Sequence, residues 1–178
     1  MELDILYNIQ KLHNPVLDPI MVGLSYIGEF GIIWIILATI FISTKKYRLC
    51  GITMLIAMTL GALSGNLLLK NIFARPRPSW IDHNVILLIK NPVDFSFPSG
   101  HALNSFASAV TIFIFHKKLG IFALILATFI AFSRLYLFFH YPTDILAGIV
   151  LGVVISLFSV WLVKMSDKRY KFNFLNNK

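Results

Sequence analysis

Long apolar runs, separated by short polar or charged segments, make up most of this chain. Five of them span roughly residues 20–42, 50–69, 101–115, 119–138 and 145–163. A helix needs about 20 apolar residues to cross the hydrocarbon core of a bilayer. The third run is shorter and begins among the polar residues HALNS. The pattern predicts an all-α integral membrane protein with five transmembrane helices, the third of which starts in a polar, protein-lined pocket.

The N-terminal stretch, residues 3–12, has a different pattern. Its apolar residues recur at near-helical spacing among polar ones: Leu3, Leu6, Ile9 and Leu12. This spacing is typical of a short amphipathic helix that lies on the membrane surface. The expected architecture is therefore a single domain over residues 1–178, in which an interfacial helix accompanies a bundle of five spans.

Composition supports a membrane location. Of the 178 residues, 57% are hydrophobic and only 13% are charged, which is too little polar surface for a water-soluble domain. The net charge is +8, but the basic residues lie in short segments between apolar runs and form no stripe that would bind nucleic acid. The single cysteine, Cys50, excludes an internal disulfide and a multi-cysteine metal cluster.

The distribution of Lys and Arg predicts the topology. Ten of the 16 lie in segments 45–48, 116–118 and 164–178, which the positive-inside rule assigns to the cytoplasm. We therefore expect a multi-pass protein of the cell membrane with a cytoplasmic C-terminus. The polar segments 70–101 and 133–144 then lie together on the extracytoplasmic face.

Three polar clusters lie where predicted outer loops join helices: KNIFARPRP (70–78), FPSGHALNS (97–105) and SRLYLFFHYPTD (133–144). They contain four cations, two histidines and one carboxylate: Lys70, Arg75, Arg77, Arg134, His101, His140 and Asp144. Cations that face one pocket repel each other, so the arrangement predicts a bound anion. Phosphate suits it, because Arg offers paired planar donors and Ser99-Gly100 opens a helix whose N-terminal N–H groups favour an anion.

The spacing of His140 and Asp144 indicates an activated nucleophile. Pro142 is well placed to be the first residue of the last helix, so Asp144 lies in the opening turn, within reach of the His140 ring. A carboxylate bonded to one ring nitrogen fixes the tautomer and leaves the other nitrogen free to attack. His101, on the opposite loop, is the expected proton donor to a leaving oxygen.

Taken in order, the patterns K-x6-RP (Lys70 to Pro78), PSGH (98–101) and SR-x5-H-x3-D (Ser133 to Asp144) resemble the type 2 phosphatidic acid phosphatase family. That family includes the vanadium-dependent haloperoxidases, and the resemblance covers about residues 66–150. It implies a six-helix phosphatase core that works without a metal or another cofactor. The N-terminal amphipathic stretch stands where the commoner six-span pattern has its first span.

The resemblance also implies the roles of the site residues. His140 attacks phosphorus, Asp144 orients it, and His101 protonates the leaving group and then helps to activate water. The implied phosphate-binding residues are Lys70, Arg77, Ser99, Gly100 and Arg134, with Arg75 as an auxiliary residue. The small size and minimal loops resemble the bacterial undecaprenyl diphosphate phosphatases. Phosphatidylglycerophosphate and phosphatidate are the alternative substrates, because the motif residues contact only the phosphate.

Other interpretations remain open at this stage. A metal site built from His101, His140 and Asp144 is disfavoured, because four nearby cations would repel a divalent ion. A phospholipid or phosphate binding or transport protein is disfavoured, because transport sites usually lie near the bilayer midplane, often between internal repeats. Transfer of phosphate to a second lipid or a sugar would use the same residues. Glu29, within the first span, is expected to face the bundle and to bond a polar group such as Asn66.

Overall fold

A computed structural model of the protein describes the backbone of residues 1–170 and the side chains of residues 1–166. Part of the basic C-terminal segment, predicted to be cytoplasmic, lies outside these residues. Nine α-helices lie within the described range: α1 Glu2–Gln10, α2 Leu17–Gly28, α3 Ile32–Ser43, α4 Arg48–Gly61, α5 Lys70–Phe73, α6 Pro78–Ile81, α7 Gly100–Phe115, α8 Lys117–Tyr136 and α9 Pro142–Tyr170. A 3₁₀ turn, Glu29–Gly31, joins α2 to α3, and a π-helical segment, Ala62–Leu69, joins α4 to α5.

The predicted all-helical membrane fold is confirmed. In the described part of the chain, four stretches are long and apolar enough to cross a membrane: Leu17–Ser43, Arg48–Ile81, Lys117–Tyr136 and Pro142–Ser166. Helix α7 has 16 residues and is about 24 Å long, which is less than the ~30 Å of a hydrocarbon core. The count of five spans therefore stays a prediction, while α9 begins at Pro142 as predicted.

Helix α7 lies at the centre of the bundle, in contact with α4, α8 and α9. A Cβ atom on Gly152 of α9 would lie 2.7 Å from the backbone oxygen of Leu103, so glycine allows the two backbones to approach closely. On another side of α7, the fully buried Trp34 donates from Nε1 to Ser105 Oγ at 3.0 Å. Because protein surrounds it, α7 can carry buried polar residues such as Asn104 near its N-terminus.

Helix α1 packs against the loop between α8 and α9. Leu6 is fully buried against Phe138 and Tyr141, and Leu3 and Ile9 flank it. Its apolar face thus covers protein. The fourth residue of the predicted stripe, Leu12, is exposed.

The first apolar run is interrupted near its middle, where α2 ends and α3 begins. Phe30 and Gly31 have φ angles of 49° and 71°, in the left-handed region that continues no helix. Helix α2, which precedes the break, packs against α8, whereas α3, which follows it, packs against α4. The break places Glu29 and Phe30 in the wall of a cavity.

Candidate active site

The cavity has a volume of about 600 Å³ and lies between α2, the π-helical segment, α7, α8 and the loop that follows α6. Six of the residues predicted for the site line it: Lys70, Arg77, Gly100, His101, Arg134 and His140. The other three, Arg75, Ser99 and Asp144, lie behind this lining, where they contact the loop and helix ends that carry the six. The three sequence clusters therefore meet in space.

Local structure sets the position of each cation. Lys70 begins α5 directly after the π-helical segment, a type of helix that is frequent at functional sites. Ala74, with a φ of 41°, ends α5. Arg77 then precedes Pro78, the first residue of α6, as expected for a proline at a helix start. Arg134 lies in the last turn of α8.

Lys70, Arg77 and Arg134 are all buried, with 7%, 2% and 5% of their surface exposed. Arg134 donates to Ser25 Oγ and lies over the ring of Phe139, 4.9 Å from its centroid. Its Nε atom is buried and has no hydrogen-bond partner among the described residues. Buried charges are costly unless they are paired, so the cluster is suited to an anionic ligand.

The Nε2 atom of His140 faces this cluster and accepts a hydrogen bond from it. Arg77 Nη1 lies 3.1 Å from His140 Nε2, and a guanidinium can only donate, so Nε2 accepts and the ring proton is on Nδ1. The Nδ1 atom lies 3.4 Å from Ser96 Oγ and 3.6 Å from Asp144 Oδ2. Burial lowers the pKa of His140 well below its ordinary value, and the charges of Arg77 and Arg134 lower it further. The imidazole is therefore neutral, with Nε2 as its nucleophilic atom.

Behind the ring, the Asp144 carboxylate is fully buried and fully bonded. It accepts from Arg75 Nη1 at 2.7 Å, from the Tyr141 backbone N–H at 2.8 Å, and from Ser96 Oγ. Arg75 also pairs with Glu2 at 2.7 Å. The sequence predicts a direct bond between Asp144 and His140. In the structure Asp144 Oδ2 faces His140 Nδ1 at 3.6 Å, slightly longer than a hydrogen bond, and the Ser96 hydroxyl lies beside the pair and contacts both groups. Arg75, predicted as an auxiliary residue, contacts this carboxylate.

Ser99 and Gly100 form the start of α7. Ser99 is the N-cap, and its Oγ accepts from the Ala102 N–H at 3.4 Å, as is usual for a serine at this position. Gly100 faces the cavity, and a Cβ atom there would lie 2.6 Å from Asn66 Oδ1. A glycine at this position therefore leaves room both for Asn66 and for a ligand near the backbone.

His101 lies on the other side of the cavity from the loop that carries His140. Its Nε2 is 3.2 Å from the backbone oxygen of Ser25, so Nε2 carries a proton and donates it to that carbonyl. A Cβ atom on Gly28 would lie 3.0 Å from the same ring. To protonate a leaving oxygen, the His101 ring must take up a second proton on Nδ1, because a neutral imidazole that lost its only N–H proton would become an anion.

Several polar residues of the site have no motif to identify them. Asp94 pairs with Lys70 and Arg77, and Ser96 contacts both His140 and Asp144. Glu2, at the start of the chain, pairs with Arg75. The only signal for Asp94 and Ser96 is their position just before the PSGH motif, and Glu2 has none.

Glu29 and Asn66 both line the cavity, but no hydrogen bond joins them among the described side chains. The expected bond between the two residues is therefore not formed. Asn104, deeper in the cavity, has a buried Oδ1 atom that is likewise without a partner in the described part of the chain. The polar surface of the cavity thus extends beyond the three cations.

Known proteins are similar to this chain in sequence and in fold. Residues 51–168 match the family model of the PAP2 superfamily. The chain is 35% identical to an undecaprenyl-diphosphatase of Sulfolobus acidocaldarius, over 81% of this chain and 69% of the relative. It is 32% identical to the undecaprenyl-diphosphatase BcrC of Bacillus subtilis, over 81% of this chain and 74% of the relative.

A solved structure has the same architecture. The crystal structure of a PAP2-type phosphatidylglycerolphosphate phosphatase from Bacillus subtilis superimposes with a TM-score of 0.70 and 26% sequence identity. The similarity covers 93% of this chain and 84% of that one. The arrangement of helices around the cavity is therefore similar to that of a membrane phosphatase.

Proposed function

Because this chain belongs to the PAP2 superfamily, and is thus a multi-pass membrane phosphatase, we propose that it hydrolyses undecaprenyl diphosphate to undecaprenyl phosphate. Two relatives with 35% and 32% identity carry the name undecaprenyl-diphosphatase. The proposal includes a phosphohistidine intermediate and an active site on the extracytoplasmic face.

The observation that carries the proposal is the position of His140 Nε2, which lies in a cavity lined by three buried cations. Lys70, Arg77 and Arg134 hold the oxygens of the terminal phosphate and neutralise the charge that develops in the transition state. Arg77 Nη1, now bonded to Nε2, transfers that bond to a phosphate oxygen. The lone pair of Nε2 is then free to attack phosphorus.

The reaction proceeds in two steps. In the first, a bond forms between Nε2 and phosphorus while the bond from phosphorus to the bridging oxygen breaks. His101, doubly protonated when the substrate is bound, gives that oxygen one of its two ring protons. In the second, His101 takes a proton from a water molecule, which attacks phosphorus and breaks the bond to Nε2. Inorganic phosphate and the lipid phosphate are the products, and both histidines return to their starting state.

Ser96 and Asp144 assist the first step from the Nδ1 side of the His140 ring. Once Nε2 is phosphorylated the ring is a cation, and the proton on Nδ1 faces Ser96 Oγ and the buried Asp144 carboxylate. A carboxylate in this position fixes the tautomer and stabilises the charge on the ring. Arg75 and the Tyr141 N–H keep the carboxylate in place.

The depth of the cavity supports a lipid substrate. It extends from the loop that contains Asp94 to the break in the first apolar run. Tyr26 and Phe30 line it there and are 54% and 81% exposed, so its wall is continuous with the apolar outer surface of the bundle. A phosphate can occupy the cationic end while its tail stays in the bilayer. The excess of Lys and Arg at the opposite ends of the helices supports an extracytoplasmic site.

Phosphatidylglycerophosphate is the second candidate, because the Bacillus subtilis phosphatase structure has this fold over 93% of the chain. The purified protein should be tested with undecaprenyl diphosphate, phosphatidylglycerophosphate and phosphatidate, with EDTA present throughout. We expect the fastest phosphate release from undecaprenyl diphosphate. Release from none of the three would contradict the proposal, and faster release from phosphatidylglycerophosphate would favour the second candidate.

The covalent step has a separate test. Rapid acid-free denaturation during turnover of substrate with a labelled terminal phosphate should trap an acid-labile phosphoprotein, which His140→Ala should lack. Product analysis should find the label in inorganic phosphate. Label in a second lipid would show phosphotransfer in place of hydrolysis.

A further inference from the structure

The loop between α6 and α7 places a carboxylate in the cationic end of the cavity. Asp94 Oδ2 contacts Lys70 Nζ, and Oδ1 accepts from Arg77 Nη2 at 2.7 Å. The backbone oxygen of Asp94 also accepts from Arg77 Nε at 2.7 Å. The carboxylate thus occupies donors on two of the three cations that the proposed mechanism assigns to the phosphate.

The three partners differ in how firmly they are held. The side chains of Lys70 and Arg77 are 9% and 2% exposed, whereas that of Asp94 is 53% exposed. Arg77 has further partners in the backbone oxygen of Phe139 and in His140. Asp94 follows Val93, which is 90% exposed, in a loop with no helix or strand. The cations are therefore fixed, and the carboxylate is the partner that can move away.

Asp94 remains charged under the conditions in which phosphate binds. Burial alone would raise the pKa of Asp94, but the hydrogen bond from Lys70 and the charges of Lys70 and Arg77 outweigh it and hold the pKa well below its usual range. A carboxylate and a phosphate on the same two donors are like charges in close contact, which is unfavourable. They cannot share Lys70 and Arg77, so binding of one displaces the other.

We propose that Asp94 is a resident anion that competes with phosphate for Lys70 and Arg77, and that its return to them expels inorganic phosphate after each turnover. The competition itself requires only that phosphate bind here; the expulsion rests on the proposed phosphatase activity. Three buried cations around a small dianion would otherwise retain the product. Asp94 offers them a replacement partner from within the chain.

The first test is direct binding of inorganic phosphate to the purified full-length protein, measured by isothermal titration calorimetry. Asp94→Asn keeps the size of the side chain and removes its charge. We expect this variant to bind phosphate on the order of tenfold more tightly, since a charge-assisted pair no longer competes. The control is Asp82→Asn on the same loop, because Asp82 bonds Tyr7 and lies outside the cavity lining. It should leave phosphate affinity unchanged.

An alternative role for Asp94 is to hold Lys70 and Arg77 in position for the substrate. In that case Asp94→Asn would bind phosphate more weakly or equally well, and this result would overturn the proposal. Asp94→Ala is a second test of competition against positioning, because it removes the hydrogen-bond acceptors of Asp94 as well as its charge. Competition predicts tighter phosphate binding in this variant also.

A second measurement keeps Asp94 in place. A spin label on Val93→Cys reports the mobility of the neighbouring loop residue, and Cys50 is buried and does not compete for the reagent. Inorganic phosphate should increase the mobility of this label, whereas sodium chloride at equal ionic strength should not. A label whose mobility is insensitive to saturating phosphate would contradict displacement of Asp94.

The kinetic consequence is measured last. If the proposed function is correct, Asp94→Asn should be inhibited by inorganic phosphate at roughly tenfold lower concentration than the native protein, with a lower kcat. A protein that hydrolyses none of the lipids would refute the proposed function, and the two binding experiments would still decide the competition. Unchanged inhibition by phosphate in an active enzyme would refute the expulsion.

Discussion

The two sides of the His140 ring are built in opposite ways. On the Nδ1 side, the Asp144 carboxylate is fully buried and accepts bonds from Arg75, Ser96 and the Tyr141 backbone. On the Nε2 side, the cations are buried, but the carboxylate that pairs with two of them is about half exposed. The Nε of Arg134 on that side has no partner among the described residues.

The two sides of the ring therefore have different tasks: the Nδ1 side holds the His140 ring in position, and the Nε2 side binds and releases the substrate. Groups that fix a tautomer must keep the same partners through the whole reaction, so a closed and fully bonded network suits the Nδ1 side. Groups that bind substrate must give up their partners and recover them in every cycle. The Nε2 side therefore has fixed cations with a replaceable anion. Substitutions on the two sides should affect different steps, and the following predictions test this.

The largest effect is expected at the ring itself. His140→Ala removes the nucleophile and should lower kcat by at least about 10⁴-fold, as loss of a covalent nucleophile does in other hydrolases. Phosphate release from the proposed substrate measures it, and trapping of the phosphoprotein should fail in parallel. His83→Ala, an exposed histidine of the loop, is the matched control and should keep full activity. An active His140→Ala enzyme would exclude the assigned nucleophile.

On the Nδ1 side, Asp144→Asn should lower kcat by about 10²–10⁴-fold and leave KM nearly unchanged. The amide no longer stabilises the ring cation, and it leaves Arg75 facing a neutral group. Inhibition by vanadate, which resembles the transition state through its five-coordinate geometry, should weaken together with kcat. A change confined to KM would show that Asp144 acts in substrate binding, and that the two sides of the His140 ring do not differ in function.

On the Nε2 side, Arg134→Gln should raise KM and the inhibition constant for inorganic phosphate, each by about 10–10²-fold. The reason is that Arg134 is buried and its Nε has no partner among the described residues, so it has a donor available for a phosphate oxygen. Lys118→Gln, at the far end of the same helix, is the control for loss of a positive charge. Loss of kcat alone, with unchanged phosphate inhibition, would show that Arg134 does not bind the ground-state phosphate.

Much of the fold follows from the apolar pattern. The bounds of α7 and α8 and the start of α9 lie within a few residues of the predicted runs, because long uninterrupted hydrophobic stretches have few alternatives to a membrane helix. The break at Glu29–Gly31 could not be predicted, since the run from 20 to 42 stays apolar on both sides of it. It depends on packing, as α2 and α3 contact different neighbours.

The candidate site shows the same limit. Six of the residues that line the cavity can be predicted because they lie in short motifs of fixed spacing. Their partners cannot, because Asp94 and Glu2 reach the site from a loop and from the chain terminus, and no periodicity connects them to Arg77 or Arg75. The roles assigned to the motif residues remain predictions until the substitutions are measured. The structure adds to the sequence the partner that each of these charges has within the protein.

The smallest effect is expected at the edge of the Nδ1 network, where α1 meets the catalytic loop. Glu2 pairs with Arg75 and accepts from the Thr143 N–H and hydroxyl. Glu2→Gln should leave kcat within a few-fold of the native value and weaken the fold by less than about 1 kcal/mol, because the pair is partly exposed. Thermal unfolding in detergent at pH 7 measures the loss, and Asp4→Asn, on the exposed side of α1, is the control.

The pH dependence of this contact has a defined sign. Partial burial raises the pKa of Glu2, but hydrogen bonds from Thr143 and Arg75 and the charge of Arg75 outweigh it and lower the pKa below its ordinary value of 4.5. Its contribution to stability is therefore fully present above about pH 4.5 and is lost as the pH falls through the lower, folded value. The difference in melting temperature between the native protein and Glu2→Gln should shrink on acidification from pH 7 to pH 3. A difference that stays constant would show that Glu2 acts through its shape and not through its charge, and that the Nδ1 network ends at Arg75.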